Sequence, residues 1–118
     1  MGESFKDLVV WQRSIQMTVA AYNLTSSFPP SEQFGLTNQL RRAAVSVASN
    51  IAEGYGRSTT GEYLQFLGHA RGSNCEVQTQ LIISRELEFG SEQSRQLAES
   101  LSEEVSKMLV AIMNKLSK

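Results

Sequence analysis

Arg41-Arg42-Ala43-Ala44-Val45-Ser46-Val47-Ala48-Ser49-Asn50-Ile51-Ala52-Glu53-Gly54-Tyr55-Gly56-Arg57 decides the architecture of this chain, because it carries three stripes at helical spacing. Leu36, Leu40, Ala43, Val47 and Ile51 recur at steps of three and four and form a face suited to a core. Ala44, Ala48 and Ala52 form a second stripe, small enough to let another helix backbone come close. Gln39, Arg42, Ser46, Ser49, Asn50 and Glu53 fill the remaining face with polar groups. The spacing predicts a helix from about Ser31 to Ala52, with Ser31 as its N-cap and Gly54-Tyr55-Gly56 as its stop.

Before this block, Leu8, Trp11, Ile15, Val19 and Tyr22 mark one face of a first helix, roughly Phe5 to Ser26. It ends ahead of Phe28-Pro29-Pro30, since a residue preceding proline is pushed out of the α region. After the block, Thr59 and Glu62 have capping-box spacing, and Tyr63, Phe66, Leu67, Ala70, Val77 and Leu81 give a third helix its core face. Leu64, Gly68, Gly72, Cys75, Thr79 and Ile82 make a small-residue stripe beside that face. A glycine inside a helix costs about 1 kcal/mol relative to alanine. A hairpin about Arg57-Ser58, setting Ala48 against Gly68 and Ala44 against Gly72, is expected to offset that cost. Gly90 is expected to end the third helix and Ser91 to cap a fourth. There Leu97, Leu101, Val105, Met108, Ile112 and Leu116 recur near heptad spacing, and Lys115 and Lys118 suit the C-terminal dipole. The expected fold is all-α, an antiparallel up-down-up-down four-helix bundle in a single domain over residues 1–118.

Composition excludes several classes. With 41% hydrophobic residues and only 2 Pro, the chain is neither disordered nor low-complexity. A net charge of -1 rules out a polycation, but the charge is unevenly spread. Arg41, Arg42, Arg57 and Arg71 outnumber Glu53 and Glu62 between Asn38 and Cys75. Seven glutamates from Glu76 to Glu104 then face only Arg85 and Arg95, an asymmetry that orients a charged partner or a neighbouring copy. The single cysteine suits a reducing compartment. The longest apolar run, Met108 to Met113, is too short to cross a bilayer, and Lys6 spoils the Met-Gly start as a lipidation signal. A cytoplasmic protein with no membrane partner is expected.

Phe5-x-Asp7-Leu8-x-Val10-Trp11-Gln12, Phe28-Pro29-x-x-Glu32, the Arg41 to Arg57 block and Phe66-Leu67-x-x-Ala70-Arg71-Gly72-Ser73 resemble the four-helix-bundle family encoded in intervening sequences of 23S ribosomal RNA genes. The resemblance spans nearly the whole chain. It implies a closed bundle assembling as a homopentameric ring, and kinship with the basic accessory protein of diversity-generating retroelements, which engages a reverse transcriptase and nucleic acid. The chain departs from the family at Ala48, where many relatives carry proline and a kink, and from the accessory protein in lacking a strongly basic charge.

Catalytic signatures are absent from the sequence. His69 and Cys75 lie six residues apart on one helix, about 240° around it, so they cannot form a nucleophilic pair. His69 is expected on a polar face and Cys75 as a packed thiol. No Glu-x-x-His pair suggests a metal, and no cofactor is expected. Gly56-x-x-x-x-Gly61 is followed by Glu62 and Tyr63 where a phosphate loop needs Lys and Ser or Thr. The N–H groups opening the third helix, with Arg57 nearby, are of a kind that holds phosphate or sulfate, although a capped turn accounts for the same spacing. Asn74 falls near the apolar face of its helix and needs a partner there, Ser46 or Asn50.

The polar stripe admits two readings: a solvated face, or a subunit interface and polar network of Arg42, Ser46, Asn50, Glu53 and Arg71. The resemblance implies the interface. The expected function is therefore a non-catalytic homo-oligomeric assembly module. The alternative is an RNA- or nucleic-acid-binding accessory protein, contacting nucleic acid or a nucleic-acid-processing protein through Arg41, Arg42, Arg57 and Arg71, repeated around a ring. An enzyme is the least supported reading.

Overall fold

Apolar spacing places four helices, and local capping sets their ends. The computed structural model describes residues 4–118, so the Met-Gly start lies outside the described residues. Helix α1 spans Val9–Thr25, α2 Leu36–Tyr55, α3 Thr60–Glu86 and α4 Glu92–Leu116, with 3₁₀ turns at Phe5–Asp7 and Pro30–Glu32. Thr59 and Ser91 cap α3 and α4 as their spacing predicts, accepting the N–H groups of Glu62 and Ser94, each at 3.1 Å. Helix α2 starts later than Ser31 because Pro30 opens a separate 3₁₀ turn. Its first N–H groups follow Gly35, and the Glu32 carboxylate accepts that of Leu36 at 3.0 Å. Helix α2 is unbroken through Ala48.

Helix α3 ends four residues before Gly90. Glu88 adopts φ 58° and closes the helix: its N–H donates to the Arg85 carbonyl, and the Phe89 N–H reaches back to Ser84 at 2.9 Å. Gly90, at φ 77°, turns the chain toward α4.

Consecutive helices pack together and α4 closes on α1, while the diagonal pairs stay apart. This is an antiparallel four-helix bundle. The long axis of 44 Å matches the roughly 40 Å of the longest helix, so the helices run along it. Leu40, Val47 and Ile51 of α2 interlock with Leu67, Val77 and Leu81 of α3 and Val105 and Leu109 of α4 in a fully buried core.

Helix α1 enters that core through Val10, Met17, Ala21 and Leu24, while only Leu8 and Trp11 of the stripe that announces the helix pack against it. Ile15, Val19 and Tyr22 of that stripe remain 37%, 55% and 42% exposed. Leu97 is likewise exposed, because Ala98, Ser102, Val105 and Leu109 carry the inward face of α4.

The alanine and glycine stripes do not meet. Ala44 and Ala48 lie against α1, where the Thr18 hydroxyl donates to the Ala44 carbonyl at 3.2 Å. Gly68 has Met113 of α4 as its nearest neighbour, and Gly72 faces open space. Cys75 shares that outward direction and is exposed rather than packed. The close approach of α2 and α3 occurs instead at Gly54, the buried penultimate residue of α2.

Candidate functional site

Two adjoining surfaces meet on the outer side of α2. The first is apolar. Ile15, Val19 and Tyr22, at i, i+4 and i+7 on α1, stand beside Val45 of α2, itself 42% exposed. Between the helices, Trp11, Ile15, Thr18, Val45, Ala48 and Ser49 line a shallow cavity of about 250 Å³. Scattered exposed apolar residues are ordinary on a monomer, whereas large contiguous apolar patches are the kind of surface that partners cover.

The second surface is polar, a groove of about 630 Å³ between α2 and α3 that includes Asn38, Arg42, Ser46, Ser73, Glu76 and Gln80. The Ser46 and Ser73 hydroxyls share a hydrogen bond of 2.9 Å across the two helices. Asn50 donates to the Ser46 carbonyl and hydroxyl at 2.8 and 3.0 Å, so this network is built mainly within α2. Gln80 Oε1 is buried, and no donor among the described residues reaches it. A further cavity, lined by Tyr22, Asn38, Arg41, Arg42, Val45 and Ser46, joins the groove to the apolar strip.

Of the expected polar network, Arg42 and Ser46 line the groove and Asn50 braces it from the adjoining turn. Glu53 turns away to pair with Arg57 at 3.4 Å, an exposed contact worth only a few tenths of a kcal/mol. Arg71 is exposed outside the groove. Asn74 is 1% exposed, and its partner is Ser102 of α4 rather than Ser46 or Asn50. It faces α4 because it shares the inward face of α3 with Ala70, Val77 and Leu81. Ser73, Glu76 and Gln80 are not among the expected site residues, although their i, i+3, i+7 spacing sets them on one face of α3.

The four arginines do not form one cluster. Arg41 donates from Nε to the Thr25 hydroxyl at 2.8 Å and stacks on Tyr22 at 4.4 Å. Arg57 lies over Phe66 at 4.7 Å, about 20 Å along the helix direction from Arg42. Its stacking and its pairing with Glu53 leave the start of α3 a capped turn. His69 is exposed and packs edge-on against Phe66. Tyr63 has its pKa raised above the ordinary 10.0, first by partial burial and then by the neighbouring Tyr55. Among the described residues, no group of three His, Cys, Asp or Glu side chains has a metal-binding arrangement, and no helix is long and apolar enough to cross a membrane.

Residues 6–111 match the family described as 23S rRNA-intervening sequence protein. The chain belongs to that family. A crystal structure of a protein with unknown function from the S23 ribosomal protein family, from Bacteroides thetaiotaomicron, has the same fold, with a TM-score of 0.78. It is 20% identical, and the match covers 88% of this chain and 97% of that one. No match was found among curated proteins.

Proposed function

We propose that this protein is a non-catalytic assembly module that works as a homo-oligomer, a pentameric ring being the form implied by its resemblance to ring-forming relatives. The carrying observation is the strip of Ile15, Val19, Tyr22 and Val45, left uncovered by the chain's own helices. Burying such a strip against another copy gains about 25 cal/mol for each Å² of apolar surface removed from water. Among the described residues, Arg42 and Arg71 are the two of the four arginines engaged by neither a carboxylate, a hydroxyl nor an aromatic ring. Two such cations per copy make a weak phosphate surface, so self-association is the better-supported reading over nucleic-acid binding. The exposed Cys75 thiol suits a reducing cytoplasm.

Size-exclusion chromatography with light scattering at micromolar concentration tests the proposal. The expected mass is a multiple of 13.1 kDa, with fivefold favoured. A 13.1 kDa monomer would overturn it.

A further inference from the structure

Phe34 stands between the Pro30–Glu32 turn and α2 and is 87% exposed, the most exposed large apolar side chain among the described residues. The backbone that carries it is fixed. The Gln33 N–H donates to the Pro30 carbonyl at 3.1 Å and the Gly35 N–H to the Glu32 carbonyl at 3.0 Å. The Glu32 carboxylate holds the first N–H of α2. An aromatic ring held out into water on an ordered turn has little backbone freedom to lose on burial, which suits it to anchor an interface. A seat of matching chemistry lies elsewhere on the chain. The cavity of about 250 Å³ between α1 and α2 is walled by Trp11, Ile15, Val45, Ala48 and Ala52. The Thr18 hydroxyl beside them already donates to the Ser14 and Ala44 carbonyls, so it asks for no partner there. An apolar cavity of about 150 Å³ takes up benzene, so this one has room for a phenyl ring. Phe34 does not fill it within one chain, because Val45 lies about 14 Å along α2 from Leu36.

We infer that Phe34 of one copy plugs the cavity between Trp11 and Val45 of the next. This rests on the self-association proposed above and names its anchor and its socket. The occupant is a second copy on two grounds. The cavity lies inside the apolar strip, between Ile15 and Val45, so a chain covering the strip also covers the cavity. Every copy also brings a ring of fitting size that its own fold leaves in water. Plug and socket are different residues at different levels of the bundle. Each copy therefore gives its plug to one neighbour and its socket to another, the head-to-tail contact from which rings close.

Trp11 is the only tryptophan of the chain, is half-buried and lines the socket, so its fluorescence reports whether the socket is filled. Across a concentration series, wild-type emission should shift to the blue as sedimentation velocity detects assembly. Phe34→Ala removes the plug, and Ser49→Phe fills the socket from its exposed rim. Each should weaken association roughly tenfold or more. Both positions are exposed, so helical circular dichroism should stay as in the wild type. The open socket of the Phe34→Ala variant should accept the plug of the Ser49→Phe variant, so an equimolar mixture should form pairs that neither forms alone. A monomeric wild type would remove the self-association proposal and this one with it. An oligomeric wild type whose Phe34→Ala variant assembles unchanged, or whose Trp11 emission does not move on assembly, would overturn the plug alone. A wild-type assembly of exactly two copies would overturn the head-to-tail arrangement, since two copies close only by reciprocal contact.

Discussion

Gly54 sits so close to Phe66 that a Cβ placed on it would stand 2.7 Å from the Phe66 Cβ, and 3.1 Å from Tyr63 Cδ1. A β-carbon follows its backbone, so relief requires α2 and α3 to move apart. Overpacking of this kind costs about 1–3 kcal/mol. Gly72 has nothing within 4 Å of the same construction. Gly72→Ala should therefore stabilise by up to about 1 kcal/mol through helix propensity alone, while Gly54→Ala should destabilise despite the same gain. Thermal melts of the two variants should move in opposite directions. If Gly54→Ala melts at or above the wild-type temperature, close packing at this site is not what the glycine provides.

Asn74 and Ser102 bridge α3 and α4 inside the core. Asn74 Nδ2 donates to the Ser102 carbonyl at 2.9 Å, and the Ser102 hydroxyl donates to Asn74 Oδ1 at 2.8 Å. Removing one partner strands buried polar groups at a cost of about 1–3 kcal/mol. Asn74→Leu and Ser102→Ala should each lower the urea midpoint, and the double variant should lose less than the sum. Strict additivity would show that the two side chains are not coupled.

These positions show what sequence spacing could and could not disclose. The core face of α2 and the caps at Thr59 and Ser91 were legible because each depends on neighbours three or four residues away. The partner of the alanine stripe was not, since that depends on which helix docks there. In α1 the bulky Ile15, Val19 and Tyr22 stripe obscured the buried one, which mixes Val10, Met17 and Leu24 with Ser14 and Ala21. The seven-residue recurrence of Val10, Met17 and Leu24 was the available signal. At the candidate site, the α2 wall was legible as a polar stripe. The α3 wall was hidden because Ser73, Glu76 and Gln80 read locally as an ordinary solvated face.

Tyr63 makes stability sensitive to alkaline pH. Its pKa is raised by partial burial and by Tyr55, so folding favours the neutral phenol. That contribution is fully present below the unfolded value of about 10 and is lost as pH rises through the higher folded value. Tyr63→Phe removes this sensitivity. The difference between its urea midpoint and that of the wild type should shift in favour of the variant between pH 9 and pH 11. A difference that stays constant across this range would exclude Tyr63 as a source of the alkaline loss.

Val19 and Val45 separate assembly from folding. Both are exposed on the strip, and neither belongs to the buried core, whereas Met17 and Val47 nearby are fully buried. A carboxylate at an exposed position stays hydrated in the isolated chain and changes stability by about 0.5 kcal/mol or less. Within a contact between copies the same carboxylate loses its water without a partner and becomes costly. Val19→Glu/Val45→Glu should therefore keep the helical circular dichroism spectrum of the wild type while shifting the light-scattering mass toward 13.1 kDa. Met17→Ala should do the reverse at concentrations well above the dissociation midpoint, lowering the melting temperature through a loss of about 2–5 kcal/mol while leaving the mass of the folded assembly unchanged. A wild-type mass for the double glutamate variant would remove the apolar strip as the contact, whatever the oligomeric state proves to be.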